Sequence, residues 1–327
     1  MRISAIAFAV ASGVLLANTA PIHAEQRVQA TDFIALFEKL SGKQPGERKA
    51  HATGVCASGR FEPNTKVDIF TNAPLLSNGN LPATIRFSLG GGNPAADERV
   101  PGTRGMGVQI SLPDGTRHMF TGNNFPVFAG KDPDTFFGFL STLLPDENGN
   151  RDPQKTMEFV KNNPSVQANL AWNQQAKTAS SYGNTEFFGL HTFFYNGNND
   201  QVMFRWHITP DLGVKTLDAE QANAMSNPFL ADRLAEQLND GTVSYTLSAI
   251  IGEDGDAVID PSVQWPEDRK KVVLGKLVLE QSGGDGCTPV NFDPNIMSAG
   301  FSPSDDPVLK MRSLAYAVSF GKRLSGQ

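Results

Sequence analysis

Cysteine is scarce in this chain, clustered positive charge is missing, and no apolar run long enough to cross a bilayer follows the first two dozen residues. Each absence excludes a class of protein. The only cysteines, Cys56 and Cys287, are too few for a disulfide scaffold or a cysteine zinc site, so they form either one disulfide or two buried thiols. A net charge of −6 without a Lys/Arg run argues against nucleic acid, whose phosphates need clustered cations, and against acidic membrane surfaces. None of His51, His118, His191 and His207 belongs to an HExxH or another close metal-ligand pair, and there is no GxSxG elbow, which leaves zinc hydrolases and serine nucleophiles without support. Gly90-Gly91-Gly92-Asn93 lacks the spacing of a phosphate cradle and reads as a loop, and Glu253-Asp254-Gly255-Asp256 lacks the late Glu of a calcium loop and reads as a turn.

What is present begins with an export signal. Arg2 gives a positive start, Ile3 to Leu16 is apolar and small, and Ile22-His23-Ala24 offers a cleavage site. Residues 1–24 are therefore expected to leave, and residues 25–327 to work as a single domain in the periplasm or outside the cell. Thr31 or Asp32 opens a short amphipathic helix with Phe33, Leu36, Phe37 and Leu40, stopped by Gly42. Strand patterns follow at His51 to Phe61, Ala83 to Ser88, Met106 to Ser111 and, after Pro113-Asp114-Gly115, Thr116 to Thr121. Residues 132–177 turn helical. A second group of strands covers Leu190 to Phe194, then Val202 to Ile208 after a turn at Asn196 to Asp200, Thr242 to Ile251 and Val272 to Leu279, with helices begun by Asp218 and by Asn227-Pro228 between them. About eight antiparallel strands in two blocks predict an α+β protein, a closed eight-stranded antiparallel barrel with flanking and inserted helices.

A last helix is predicted from Pro307, with Asp305 or Ser304 as its cap. It places Arg312 and Tyr316 one turn apart on one face. A guanidinium beside a phenol favours the phenolate, and a phenolate binds iron. Spacing alone favours the plainer reading, a solvated Arg beside a half-buried Tyr; His191 and His207 likewise read as hydrogen-bonded residues within strands.

Separated segments change that balance. Arg48-Lys49-Ala50-His51-Ala52-Thr53-Gly54 with Gly59-Arg60-Phe61-Glu62, then Ile85-Arg86-Phe87-Ser88 and Arg104-Gly105, then Gly122-Asn123-Asn124-Phe125-Pro126-Val127-Phe128 with Asp132-Pro133 and Phe136, are followed by Trp265-Pro266, Gly275 to Leu279, Phe292-Asp293-Pro294 and Arg312 to Tyr316. From about residue 45 to 325 this order resembles the heme catalases. The chain is shorter than a full-size catalase, has Val318-Ser319 where Asp-Thr is usual and Phe125 where Thr is common, and so looks like the short catalase-related peroxidases. The resemblance implies a b-type heme (iron protoporphyrin IX) with Tyr316 as iron ligand and Arg312 keeping its oxygen anionic. It implies His51 as the general base with Ser88 on its other ring nitrogen, and Asn123 as a donor to peroxide. Phe128 and Phe136 would be apolar walls, and Arg48, Arg86 and Arg323 would pair with the propionates. The implied activity is hydrogen-peroxide-dependent oxidation of small organic electron donors, in peroxide detoxification, with weak catalase activity beside it; a homo-oligomer is compatible with it. A catalase-like hydroperoxide isomerase and a non-catalytic periplasmic heme-binding barrel are the alternatives.

Overall fold

The computed structural model describes residues 27–197 and 201–327. The export-signal reading of residues 1–24, and part of the turn expected at Asn196 to Asp200, lie outside the described residues.

Alternating side chains build the sheet. Its strands are β1 (Gly54–Pro63), β2 (Leu81–Leu89), β3 (Arg104–Ser111), β4 (Arg117–Asn123), β5 (Thr178–Ala179), β6 (Phe187–Phe188), β7 (Phe193–Asn196), β8 (Gln201–Pro210), β9 (Thr216–Leu217), β10 (Val243–Ile251), β11 (Lys271–Ser282) and β12 (Phe301–Pro303). Neighbours run β10-β11-β1-β2-β3-β4-β6-β8, and β8 pairs back onto β10, which closes eight antiparallel strands into the expected barrel. Strands β7 and β12 extend the sheet beyond β8, while β5 and β9 pair separately. The interior is filled by Phe61, Ile85, Phe87, Val108, Phe120, Trp206, Tyr245 and Leu277 among others, all buried. Leu190 and His191, expected in a strand, precede it: β7 starts at Phe193.

The helices are α1 (Ala30–Ser41), α2 (Pro74–Ser77), α3 (Pro133–Thr142), α4 (Pro153–Asn162), α5 (Gln167–Gln175), α6 (Ala219–Asn223), α7 (Leu230–Asp240) and α8 (Pro307–Leu324). Asp132 caps α3 by accepting from the Thr135 N–H at 2.7 Å, with Pro133 at the first position, where no N–H is needed. The cap of α8 is Asp306, neither Asp305 nor Ser304: its Oδ1 accepts from the N–H groups of Val308 at 2.8 Å and Leu309 at 3.2 Å. Asp305 instead faces solvent and pairs with Lys310. Helix α7 begins at Leu230, later than Asn227-Pro228 suggested, because buried Glu98 accepts from the Phe229 and Leu230 N–H groups at 2.6 Å each.

Helices α1, α3 and α8 pack against one another. Phe33 of α1 stacks on Phe136 and meets Phe137 edge-on, at 5.7 and 5.4 Å between ring centres. Glu38 of α1 accepts from Lys322 of α8 at 2.8 Å. Cys56 of β1 and Cys287 are joined in a disulfide that spans 231 residues of sequence, so of the two sequence readings the paired one holds.

Candidate active site

The site grows from the barrel's outer face. Register places Gly54, Ser88, Gly105 and Asn123 side by side across β1 to β4, and beside them a second row, Cys56, Arg86, Gly107 and Thr121. The residues between these positions, such as Phe87 and Val108, belong to the barrel core. Between the outer face and helices α1, α3 and α8 lies a cavity of about 650 Å³, a size suited to a substantial ligand. It is lined by every residue that the family resemblance assigns to the site: Arg48, His51, Arg86, Ser88, Asn123, Phe128, Phe136, Arg312, Tyr316 and Arg323.

His51 enters from the turn before β1 with φ at +56°, a left-handed conformation that costs a non-glycine residue free energy and is retained where its surroundings enforce it. Those surroundings come from β2. Arg86 Nη2 donates to the Ala52 carbonyl at 2.9 Å, and Ser88 Oγ lies 3.0 Å from His51 Nδ1. Gly105 completes the seat: a Cβ there would stand 2.7 Å from His51 Nδ1 and 2.8 Å from Ser88 Oγ. Burial first, and then the charges of Arg86, Arg312 and Arg48, push the imidazole down to about 4, so the ring is neutral at ordinary pH. Asn123 Oδ1 accepts from the Phe125 N–H at 2.9 Å, which leaves Nδ2 as the end that can donate to a ligand. Phe128 and Phe136, 4.5 Å apart at their ring centres, form an apolar wall.

Helix α8 supplies the other chemistry. Arg312 Nη2 donates to Tyr316 Oη at 2.6 Å, the one-turn pairing expected from their spacing. Sequence reasoning missed what stands behind Arg312. Its Nη1 donates to His191 Nε2 at 3.0 Å, and His191 Nδ1 lies 2.6 Å from Asp306 Oδ2. Because a guanidinium only donates, Nε2 accepts and the proton sits on Nδ1, facing the carboxylate. Burial pushes His191 down while Asp306 opposes the shift. The result is a continuous hydrogen-bonded chain, Asp306 to His191 to Arg312 to Tyr316, with His191 and Asp306 each 1% exposed. Its anchor is the residue that also caps the helix. Asp306 stands on the same helix as Tyr316 and was within reach of pattern reading, but His191 lies 115 residues earlier and no local pattern links it.

Arg48, Arg86 and Arg323 share the remaining end. Burial, then the charges of Arg86 and Arg323, push Arg48 down to about 9; burial chiefly pushes Arg86 down to about 10 and lowers Arg323. Among the described residues none of the three pairs with a carboxylate, and Arg323 Nη2 is buried without a hydrogen-bond partner. Mutually repelling guanidiniums with an unmet donor suit a ligand with negative charge at that end. Heme fits these residues: a phenolic oxygen held by a cation for the iron, guanidiniums for the propionates, and phenylalanines for the porphyrin. The apolar face of the amphipathic helix α1 also lines the cavity, through Phe33, Ile34, Phe37 and Leu40.

A family model described as "Catalase" matches residues 17–327. The chain is 35% identical to a catalase-related peroxidase of Synechococcus elongatus over 98% of its own length and 96% of that protein's, and 32% identical to a catalase-related peroxidase of Mycolicibacterium paratuberculosis over 89% and 92%. Among solved structures it resembles catalase A from Saccharomyces cerevisiae, with a TM-score of 0.74 and 24% identity over 90% of this chain. It spans 64% of that longer protein.

Proposed function

The chain belongs to the catalase family and is an oxidoreductase acting on peroxide; we propose that it is a b-type heme peroxidase that uses hydrogen peroxide to oxidise small organic donors. The observation that carries this reading is that Tyr316, with a guanidinium donating to its oxygen, and His51, held by Ser88, line one cavity whose far end carries three arginines that pair with no carboxylate among the described residues. When bound, the heme iron supplies the electron chemistry by which the O–O bond is broken.

The protein's own residues do the rest. Tyr316 would hold the iron through the oxygen to which Arg312 donates, while His191 and Asp306 hold Arg312 in place. His51, with the proton on Nδ1 directed at Ser88, offers Nε2 to take a proton from peroxide and return it to the departing oxygen. Asn123 Nδ2 orients the peroxide by donating to it. Phe128 and Phe136 keep water out. Arg48, Arg86 and Arg323 would hold the heme propionates.

The disulfide and the apolar leader support an oxidising, extracytoplasmic compartment, in which residues 25–327 work as one unit. The test is a spectrum and a turnover assay of heme-loaded protein beside Tyr316→Phe. The wild type should oxidise dyes with peroxide, and the variant should lose both its heme spectrum and nearly all turnover. An unchanged variant overturns the ligand assignment, and fast oxygen evolution without dye oxidation overturns the preference for organic donors.

A further inference from the structure

We infer that the Cys56–Cys287 disulfide positions Arg48 at the charged end of the cavity, so that the chain grips the acidic groups of its cofactor fully only once these two cysteines are oxidised. The inference rests on the heme reading above. Its geometry is independent of it. Cys56 sits in the outer-face row directly beside Arg86, and Cys287 lies in the 283–300 stretch, which contains no helix or strand. Arg48 Nη2 donates to two carbonyls of that stretch, Val290 at 3.0 Å and Cys287 itself at 3.3 Å. The Arg48 guanidinium also lies 5.9 Å from the centre of the Phe292 ring, whose carbonyl accepts from Thr121 Oγ1 at 2.8 Å. Phe292 seats against Gly107, where a Cβ would come within 2.7 Å of the ring. Disulfide, ring and arginine thus form one outer cluster: Cys56, Met119, Cys287 and Phe292 are its buried members, with Val290 and Ile296 against them.

Charge explains why a brace is needed. Arg48 is repelled by Arg86 and Arg323, and a long flexible side chain under such repulsion moves toward water unless its acceptors are fixed. Its acceptors are carbonyls on an irregular stretch, and the covalent bond at Cys287 ties that stretch to β1. A disulfide serving only as a staple for the fold would stabilise the chain without acting through Arg48.

Zinc protoporphyrin IX, which fluoresces and takes no electrons from thiol reductants, separates these roles. Its dissociation rate is to be measured from wild type, the Cys56→Val/Cys287→Val pair, Arg48→Gln, and all three changes together. The cysteine pair should release the porphyrin about tenfold faster or more, as loss of an outer-shell support typically does. Combined with Arg48→Gln it should add little, since both remove one interaction. Fully multiplying effects, or a cysteine pair that releases at the wild-type rate, overturn the brace. Should the paired variant not fold, wild type reduced under native conditions and then reoxidised answers the same question: a faster rate that reverts supports the brace, and an unchanged rate overturns it. A wild type that retains no porphyrin overturns the heme reading and the brace with it, whereas retention indifferent to the thiols overturns the brace alone.

Discussion

On their inner face β2, β3 and β4 present Ile85, Phe87, Val108, Ile110 and Phe120, each no more than 3% exposed. On their outer face the same strands present Arg86, Ser88, Gly105, Gly107, Thr121 and Asn123, all of which line the cavity. The first set is interchangeable in kind, since any apolar side chains of suitable volume fill a barrel. The second set is not, because each position is matched to a particular group: Ser88 to an imidazole nitrogen, Gly105 to the space that ring needs, Arg86 to a backbone carbonyl and a cation-rich end. A strand's period of two lets stability and chemistry be specified by separate residues on one backbone.

The largest expected break in that separation is Gly105→Ala. A methyl group 2.7 Å from His51 Nδ1 must displace the ring or Ser88, and a misplacement of about 1 Å in a reacting group costs roughly 10²-fold in rate. Peroxide turnover of heme-loaded protein should fall by about that factor while the far-ultraviolet spectrum keeps its strand content. The inner-face counterpart, Ile85→Ala, should show the reverse: about 2–5 kcal/mol lost in urea unfolding, with turnover per folded molecule near wild type. If Ile85→Ala lost turnover as heavily as Gly105→Ala, the two faces would not be separable.

Residues whose partners lie nearby in sequence, or on an adjacent strand, were legible before the fold. The Arg312–Tyr316 pairing follows from one helical turn, and the alternation of Arg86 and Ser88 with Ile85 and Phe87 already divides that strand into two faces. Contacts closed by the fold were not. His191 and Asp306 meet across 115 residues, and either alone resembles an ordinary core residue. Nothing in the local pattern of Gly105 and Gly107 shows that His51 and Phe292 occupy the space they leave. The amphipathic pattern of α1 announced a buried face without saying that a cavity wall was its destination. Ser304, Asp305 and Asp306 satisfy the same cap preference for α8, and only the direction of the chain selects Asp306.

Two histidines carry the same contrast into pH. His118 is buried, with Nδ1 accepting from the Ser298 N–H at 3.2 Å, and burial pushes it down to about 3. Its unfolded value is the ordinary 6.5, so the unfolded chain binds the proton more readily and stability must rise with pH across this range. Its contribution is complete above pH 6.5 and is lost progressively as pH falls toward 3, amounting to a few kcal/mol. Melting temperature should therefore drop on acidification, and His118→Gln should flatten that slope. His51, pushed down to about 4, adds to that slope by the same linkage, and in the proposed role as base it sets the rate as well. Peroxide turnover should be level from about pH 5 to 8 and fall roughly tenfold per unit below 4, as protonation removes the base.

Ser88→Ala gives the smallest effect and the finest test, because it changes the outer face without altering its shape. The hydroxyl lies 3.0 Å from His51 Nδ1, and its loss leaves the ring in place over Gly105, with Arg86 still bound to the Ala52 carbonyl at 2.9 Å. What is lost is the partner that keeps the proton on Nδ1 and the base at Nε2. Turnover should fall about tenfold, with KM for peroxide nearly unchanged, because the ring still occupies its place but carries the right tautomer less of the time. Stability should move by no more than about 1 kcal/mol. Ser88→Thr retains the hydroxyl and should recover most of the rate. If the alanine variant instead destabilised the barrel as Ile85→Ala is expected to, Ser88 would belong with the packing residues, and the boundary between the two faces of β2 would have to be drawn elsewhere.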